Sequence, residues 1–406
     1  MFYVRRILLE KDRIWTKGFT TLTLSNAFNN VGIQMLVPTI PLYLVALGAT
    51  ESQVGLVATS FFVSSIITRL FINLLLTRIG KTQTLFAGVL LTAAVIALYG
   101  VTDSVGAAAA MRVAQGLGFG TTTTIFTTLA ADFLPDSRRG EGIGYFSMGV
   151  VLGASIAPAI SLSLMDAYGF QIMFFSAACF SLLASVGVWF SKGSLSAETH
   201  AAESVPESGV REVFWHNLFD SRLTLQALML ILLGLCRSAD MNFIALFALE
   251  RQLDHLALYF SLQTLVAFCI RFFMGYIMDR KGRNWILIPG GCAVLIAMLI
   301  LSAARSGAVM LVAGFFHGMG VGMLVPGMQV WLFSRVGPEK RNIASATYFN
   351  FYDIGISVGA VILGLLAEKV GYTVMYLVSA GSAVLYLIGY ICISVRERNS
   401  SCSCQS

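Results

Sequence analysis

Long apolar stretches, broken at short intervals by polar ones, run the length of the chain. They fall at 18–47, 54–77, 83–101, 106–132, 140–165, 170–191, 223–250, 255–278, 284–303, 307–333, 341–367 and 371–395. About 20 residues, rising about 1.5 Å each, cross the hydrocarbon of a bilayer, and each stretch is of that order. They are rich in Leu, Ala, Gly and Phe and lack period-two alternation, which favours helices over the strands of an outer-membrane barrel. The pattern predicts an all-α membrane protein with six spans in residues 1–191 and six in 223–395. A polar linker at 192–222 joins the two sets, with a surface helix expected near Val210 to Phe219, and a tail follows at 396–406.

Composition agrees with this reading: 57% of residues are hydrophobic and 12% charged, too few charges to wrap a water-soluble globule of 406 residues. The net charge of +6 raises the question of nucleic acid, and the placement of the cations answers it. Twenty Lys and Arg lie in the N-terminal segment, the loops after even-numbered runs and the tail, against Arg251, Arg305 and Lys369 in the opposite loops. A bias of this kind predicts cytoplasmic termini and linker in a multi-pass protein of the cell (inner) membrane, and no nucleic-acid partner. The first residues are charged, carry Glu10 and Asp12 and lack an apolar core, so a short amphipathic surface helix is expected rather than a cleavable signal. Cys179, Cys236, Cys269, Cys292 and Cys392 fall inside apolar runs and imply no disulfide framework. Cys402 and Cys404 have no histidine nearby, so a disordered end is expected there and no metal site.

The chain also repeats itself. Gly275-Tyr-Ile-Met-Asp279-Arg280-Lys281-Gly282-Arg283 reads as a tight cationic loop between two runs, and Asn73-Leu-Leu-Leu-Thr77-Arg78-Ile-Gly80-Lys81 is a degraded copy 202 residues earlier. At the same shift Arg69 meets Arg271, Phe71 meets Phe273, and Asp166 to Met173 meets Glu368 to Met375, including Gly169 with Gly371. Two homologous halves follow.

Polar groups inside apolar runs are the candidate chemistry. In the first run Asn26, Asn30 and Gln34 recur every four residues, one helical face that lines a cavity or bonds to a neighbouring helix. Pro38 and Pro41 are expected to bend or end that helix. The second run carries Arg69, whose side chain can snorkel to the headgroups. The fourth opens on Arg112 and Gln115, then Gly116, Gly118, Gly120 and the threonines Thr121 to Thr124. An arginine at that depth costs at least about 2.5 kcal/mol unless paired or hydrated. The tenth run answers with Gly314, His317, Gly318, Gly320 and Gly322, with His317 opposite Gln115 as either a proton carrier or a hydrogen-bonded packing residue. Small residues repeat in the fifth run as Gly144, Gly149, Gly153, Ala157, Pro158 and Ser161, and in the eleventh as Gly355 and Gly359, which adds Asp353. In the seventh, Arg237 and Asp240 are three apart and can face each other, with Asn242 following. An intramembrane ion pair of this kind is functional or purely structural.

These motifs resemble the major facilitator superfamily. Its loop motif, Gly-x-Leu-x-Asp-Arg-x-Gly-Arg, is matched by Gly275, Ile277 in place of Leu, Asp279, Arg280, Gly282 and Arg283, while the first half has Asn73 and Thr77 where the motif has Gly and Asp. Its fourth-span signature, Arg-x-x-Gln-Gly, is met by Arg112, Gln115 and Gly116. Its fifth-span antiporter motif is met by Gly144, Gly153 and Pro158, with Ala157 and Ser161 in place of glycines. The resemblance implies two pseudo-symmetric six-helix bundles that open alternately around a central site, in a monomer without cofactor. It is similar to the twelve-span drug–proton antiporters, a branch that includes carriers of siderophores and related metallophores. No nucleotide-driven pump is expected, because Gly80-Lys81-Thr82 lacks the earlier glycine of a phosphate loop, Leu75 standing there.

On that resemblance the partners are a small-molecule solute, protons and the lipid bilayer. Proton coupling is expected at Asp240, Arg237, Asp353, Arg112 and His317, since the first-run face offers no acid. The solute cavity is expected at Asn26, Asn30, Gln34, Gln115, Thr122, Tyr145, Asn242, Tyr348, Phe349 and Tyr352, which suit an amphipathic neutral, zwitterionic or cationic molecule. Gating is expected at Arg78, Lys81, Asp132, Arg139, Gly275, Asp279, Arg280 and Arg283, with Asp132 meeting Arg78 or Arg139. Close helix packing is expected at Gly116, Gly120, Gly149, Gly153, Pro158, Gly318, Gly322, Gly355 and Gly359. An importer of a small metabolite such as a sugar is the alternative, and a membrane enzyme or non-transporting sensor a more distant one; no nucleophile–base pair or histidine cluster supports an enzyme.

Overall fold

A computed structural model describes residues 14–134, 139–190, 223–336 and 341–403. Before the linker the helices are α1 (Lys17–Ala46), α2 (Glu51–Ile79), α3 (Lys81–Tyr99), α4 (Val105–Asp132) and α5 (Arg139–Phe190). After it come α6 (Thr224–Glu250), α7 (Leu256–Lys281), α8 (Asn284–Ala303), α9 (Gly307–Phe333), α10 (Arg341–Val370) and α11 (Tyr372–Ser403). Within α5, Gly169 takes φ 81° and ψ 175° and divides the run into two helices. Helices satisfy every backbone donor and acceptor within the segment, which apolar surroundings require. Nine stretches among the described residues are long and apolar enough to cross a membrane; α4 is not one of them, and the described side chains of α7 include the shorter apolar stretch Leu256–Arg271. In α4, Arg112, Gln115 and a run of threonines lower the mean hydropathy.

The structure corrects several expected boundaries. Pro38 and Pro41 lie inside α1, which continues to Ala46. The loop at Gly275 to Arg283 is mostly the end of α7, and the chain turns at Gly282, whose φ of 82° is open to glycine at no steric cost. Gly80 has φ 88°, and Gly169 and Gly371 have φ 81° and 84°. Both pairs are 202 residues apart, so the backbone breaks recur at the period seen in the sequence. The last helix reaches Ser403, which places Cys402 in helix rather than in a disordered end. The N-terminal surface helix, the linker with its surface helix, and Cys404 lie outside the described residues.

The chain divides into two compact units, one from the described residues of Met1–Tyr43 and Val63–Val205, the other from those of Leu44–Phe62 and Pro206–Ser406. In the first, α3 packs on α4 and α5, around a core that includes Phe19, Leu85, Val89, Ile125, Phe126, Leu129 and Phe146. In the second, α6 packs on α10 and α11, α8 on α9 and α11, and α7 on α9. Several glycines lie hard against neighbouring helices. A Cβ on Gly120 would lie 2.7 Å from the Ser65 carbonyl oxygen, and one on Gly359 3.0 Å from Leu235 Cα. Gly355 faces the Ile231 carbonyl, Gly322 the Ala267 backbone, Gly149 the Ala27 methyl and Gly153 the Val31 side chain. Gly116 and Pro158 are buried in α4 and α5. Large apolar side chains remain outside, Phe273 at 66% exposure and Trp285 at 60% among them, as a lipid-facing surface requires.

The N-terminal part of α2 belongs to the second unit. There the Thr59 hydroxyl donates to the Ser357 carbonyl at 2.9 Å and the Ser52 amide to Glu368 Oε2 at 3.1 Å. Gly55 lies under the Ala360 carbonyl and Gly364 under that of Glu51, so α2 and α10 meet backbone to backbone.

Candidate functional site

In the second unit the polar groups of three helices converge on Asp240. Its carboxylate has no exposed surface, and α6 places Arg237 one turn before it, so that Arg237 Nη1 donates to Oδ2. From α7, the Tyr259 hydroxyl donates to Oδ1, and four residues on, Gln263 Nε2 donates to Oδ2 at 3.0 Å. From α9, His317 brings Nδ1 to 3.6 Å from Oδ2, with the Gln263 amide bonded to the same ring nitrogen. The Gln263 amide nitrogen thus touches both the carboxylate and the imidazole, and the tautomer of His317 sets which group donates in the second contact. Gly318, directly after His317, faces the Gln263 carbonyl, so the absence of a side chain there lets α9 come this close to α7.

Arg237 keeps a quarter of its side chain exposed. It borders a cavity of about 20 Å³ together with His317, Cys236, Met328, Tyr348 and Tyr352. That volume is of the order of one water molecule. Tyr348 and Tyr352 stack at 5.9 Å between centroids. Asp353 is buried one residue further along α10, but the partners of Asp240 are Arg237, Tyr259, Gln263 and His317, and Asp353 is not one of them. Asn242 is buried and donates to Ser238 Oγ at 3.0 Å, a bond within α6. Phe349 is exposed and packs edge-on against Tyr348.

The first unit holds a different cluster. Arg112, buried in α4, donates to Gln115 Oε1 at 2.8 Å, and the Tyr99 hydroxyl reaches the same oxygen at 3.4 Å. Tyr43 donates to the Thr102 and Tyr99 carbonyls, and Tyr43, Tyr99 and Phe174 form a ring cluster with centroids 5.0 to 6.4 Å apart. Gln115 Nε2 has no hydrogen-bond partner among the described residues. Asn26 is buried on α1, while Asn30 and Gln34 are half-buried. Thr122 bonds to its own helix at the Phe119 carbonyl and packs near Gly88. Tyr145 is exposed and tilts against Trp15 at 5.4 Å.

At the helix ends, Asp132 pairs with Lys81 at 2.8 Å rather than with Arg78. Arg78 and Arg280 are exposed, Arg283 lies over the Trp331 ring at 5.4 Å and Lys281 over Trp285 at 4.9 Å. Gly275 and Asp279 lie in α7, but their surroundings, like those of the Arg139 side chain, fall outside the described residues.

Tyr259 and Gln263 are absent from the sequence-based site. A signal existed: Gln263 is the one amide in 255–278 and lies a helical turn from Tyr259. The positions 202 residues before Arg237, Asp240, Tyr259 and Gln263 are Met35, Pro38, Val57 and Phe61. The ionic network therefore has no counterpart in the first half, and the two units carry different chemistry on one repeated frame.

Comparison with known proteins places this frame. The family model of the Major Facilitator Superfamily matches residues 22–360 and 256–402, and the chain belongs to that superfamily of membrane transporters. It is 21% identical over 363 residues to the staphylopine export protein of Staphylococcus aureus, covering 86% of this chain and 89% of that one. It is 23% identical over 396 residues to the multidrug resistance protein MdtG of Klebsiella pneumoniae, covering 94% of each. In fold it is similar to the crystal structure of the nucleoside transporter NupG, with a TM-score of 0.74 at 13% identity, covering 93% of this chain and 99% of that one.

Proposed function

We propose that the protein exports a small amphipathic organic solute in exchange for protons, through twelve spans in two six-helix halves with both termini cytoplasmic. The observation that carries this reading is the network on Asp240. A carboxylate with no exposed surface is tolerated as an anion only while a cation and hydrogen-bond donors match it. A proton on the carboxyl removes the need for the cation. Asp240 thus has two compensated states, ionised with Arg237 paired and protonated with Arg237 released.

The coupling follows from the charge that release exposes. The cavity that Arg237 borders has room for about one water in this arrangement, so the reading requires it to widen when the solute binds; once unpaired, Arg237 presents a full positive charge there. A cationic solute is repelled by that charge and a neutral or zwitterionic one meets a changed site, so loading a proton and holding the solute oppose each other. This is the sign an exchanger needs. His317, with Nδ1 3.6 Å from Asp240 Oδ2 and its ring bordering the cavity, is positioned to pass the proton to Asp240. The staphylopine and multidrug relatives support the export direction and a solute of drug-like or metallophore-like size.

The test is reconstitution into vesicles with an imposed pH gradient and a panel of solutes. The native protein should concentrate a solute against its gradient. Asp240→Asn should retain downhill solute exchange and lose accumulation driven by the pH gradient. Accumulation by Asp240→Asn that still follows pH would refute the assignment, and solute uptake by cells supplied with the gene would favour an importer.

A further inference from the structure

Two of the three cations on the end of the chain that the charge bias assigns outside, Arg251 and Arg305, line one cleft of about 790 Å³ in the second unit, with Ser302, Ala303 and Thr373. We propose that this cleft binds a phosphate-type oxyanion, supplied by an anionic phospholipid headgroup or as a free anion.

Arg251 follows the last residue of α6 and is held rigidly. Nη1 donates to the Ala304 carbonyl at 2.9 Å, Nη2 donates to the Thr373 hydroxyl at 2.6 Å, and the guanidinium lies over the Phe247 ring at 5.0 Å. A guanidinium carries five N–H donors in a planar fork, so two bonds leave three for a ligand. Ordering this side chain in advance removes most of the entropy a flexible cation would lose on binding. The bond to Ala304 also covers the carboxyl end of α8, where an anion would otherwise be repelled.

Arg305 is exposed and has no ion pair among the described residues. Two helices begin beside the cleft: α9 starts two residues after Arg305, capped by Ser306, and Thr373 is the second residue of α11. Amino ends of helices favour anions. Acidic groups at these helix ends are Glu250 and Glu51, near Tyr372, Glu368, which accepts from the Ser52 amide, and Asp254, which presents its backbone to Gly307. None of these four lines the cleft. The Ser302 hydroxyl donates to the Leu299 carbonyl at 2.7 Å, whereas that of Thr373 accepts from Arg251 and keeps its own proton; two guanidinium groups and this hydroxyl, without a carboxylate, are a donor set for an oxyanion rather than a cation.

The test uses the purified full-length chain in neutral detergent. Native mass spectrometry measures retention of phosphatidylglycerol against phosphatidylcholine, and equilibrium binding is measured with inorganic phosphate alone. The variant is Arg305→Gln, which removes no bond within the described structure, with Lys369→Gln as a control at the third outward cation. Preferential retention of phosphatidylglycerol, weakened roughly fivefold by Arg305→Gln and unchanged by Lys369→Gln, supports a headgroup site. Saturable phosphate binding with the same variant pattern supports a free-anion site. Equal retention of both lipids without phosphate binding, or equal effects of the two variants, overturns the proposal.

Discussion

Arg237→Leu tests the central energetic claim, that a buried carboxylate is held in its charged form by one arginine. The substitution leaves Asp240 with no exposed surface and with Tyr259 and Gln263 as its remaining donors. Removing one partner of a buried pair costs about 3–5 kcal/mol, because the other charge stays behind without compensation. Arg237 is itself a quarter exposed, so the lower end, about 3 kcal/mol, is expected. The unpaired carboxyl escapes the penalty by taking a proton, and the sign of the pH dependence follows. Asp240 is ionised in the unfolded chain at neutral pH, so lowering the pH from about 7 to 5 favours the folded, protonated variant and restores part of its stability.

Arg237→Leu combined with Asp240→Leu removes the charge altogether and should lose that pH dependence. It leaves the Tyr259 hydroxyl without its acceptor, at about 1–3 kcal/mol, and adding Tyr259→Phe should recover that loss. Unfolding midpoints in detergent at the two pH values, followed by tryptophan fluorescence, measure all four proteins. An Arg237→Leu protein whose stability is flat with pH, or equal to that of the double variant throughout, refutes the buried pair.

Two further outcomes follow from the packing. Gly318→Leu must push the Gln263 backbone away, at about 1–3 kcal/mol, and should lower the ratio of proton to solute flux in vesicles more than Gly318→Ala does; an unchanged ratio would remove Gln263 from the coupling route. Lys81→Gln breaks an ion pair whose side chains are 25% and 42% exposed, so its unfolding midpoint should fall by no more than about 1 kcal/mol equivalent, and exchanging the two residues as Lys81→Asp with Asp132→Lys should restore it.

Most of the scaffold was legible in the chain because its causes are local. Apolar length sets helices in a bilayer, and the glycines at 80, 169, 282 and 371 mark their breaks through a backbone angle that other residues rarely adopt. The pairing of Arg237 with Asp240 was legible for the same reason, since a separation of three puts both on one helical face. Helix ends were less so: α7 runs to Lys281, because the cationic residues after Met278 are hydrophilic without being helix breakers.

What surrounds Asp240 is a property of the tertiary structure. Tyr259 and Gln263 come from α7 and His317 from α9, and nothing in their local sequence aims them at a carboxylate on α6. Their convergence depends on how closely α9 approaches α7, which Gly318 permits and which the packing of the whole unit sets. The same holds for Asp132, which takes Lys81 although Arg78 is also near in sequence, and for the N-terminal part of α2, which lies against α10. The sequence by itself determined which groups are buried and costly; three-dimensional packing decided which of them compensate one another, because charge and hydrogen bonding act over a few ångströms of space whatever the separation along the chain.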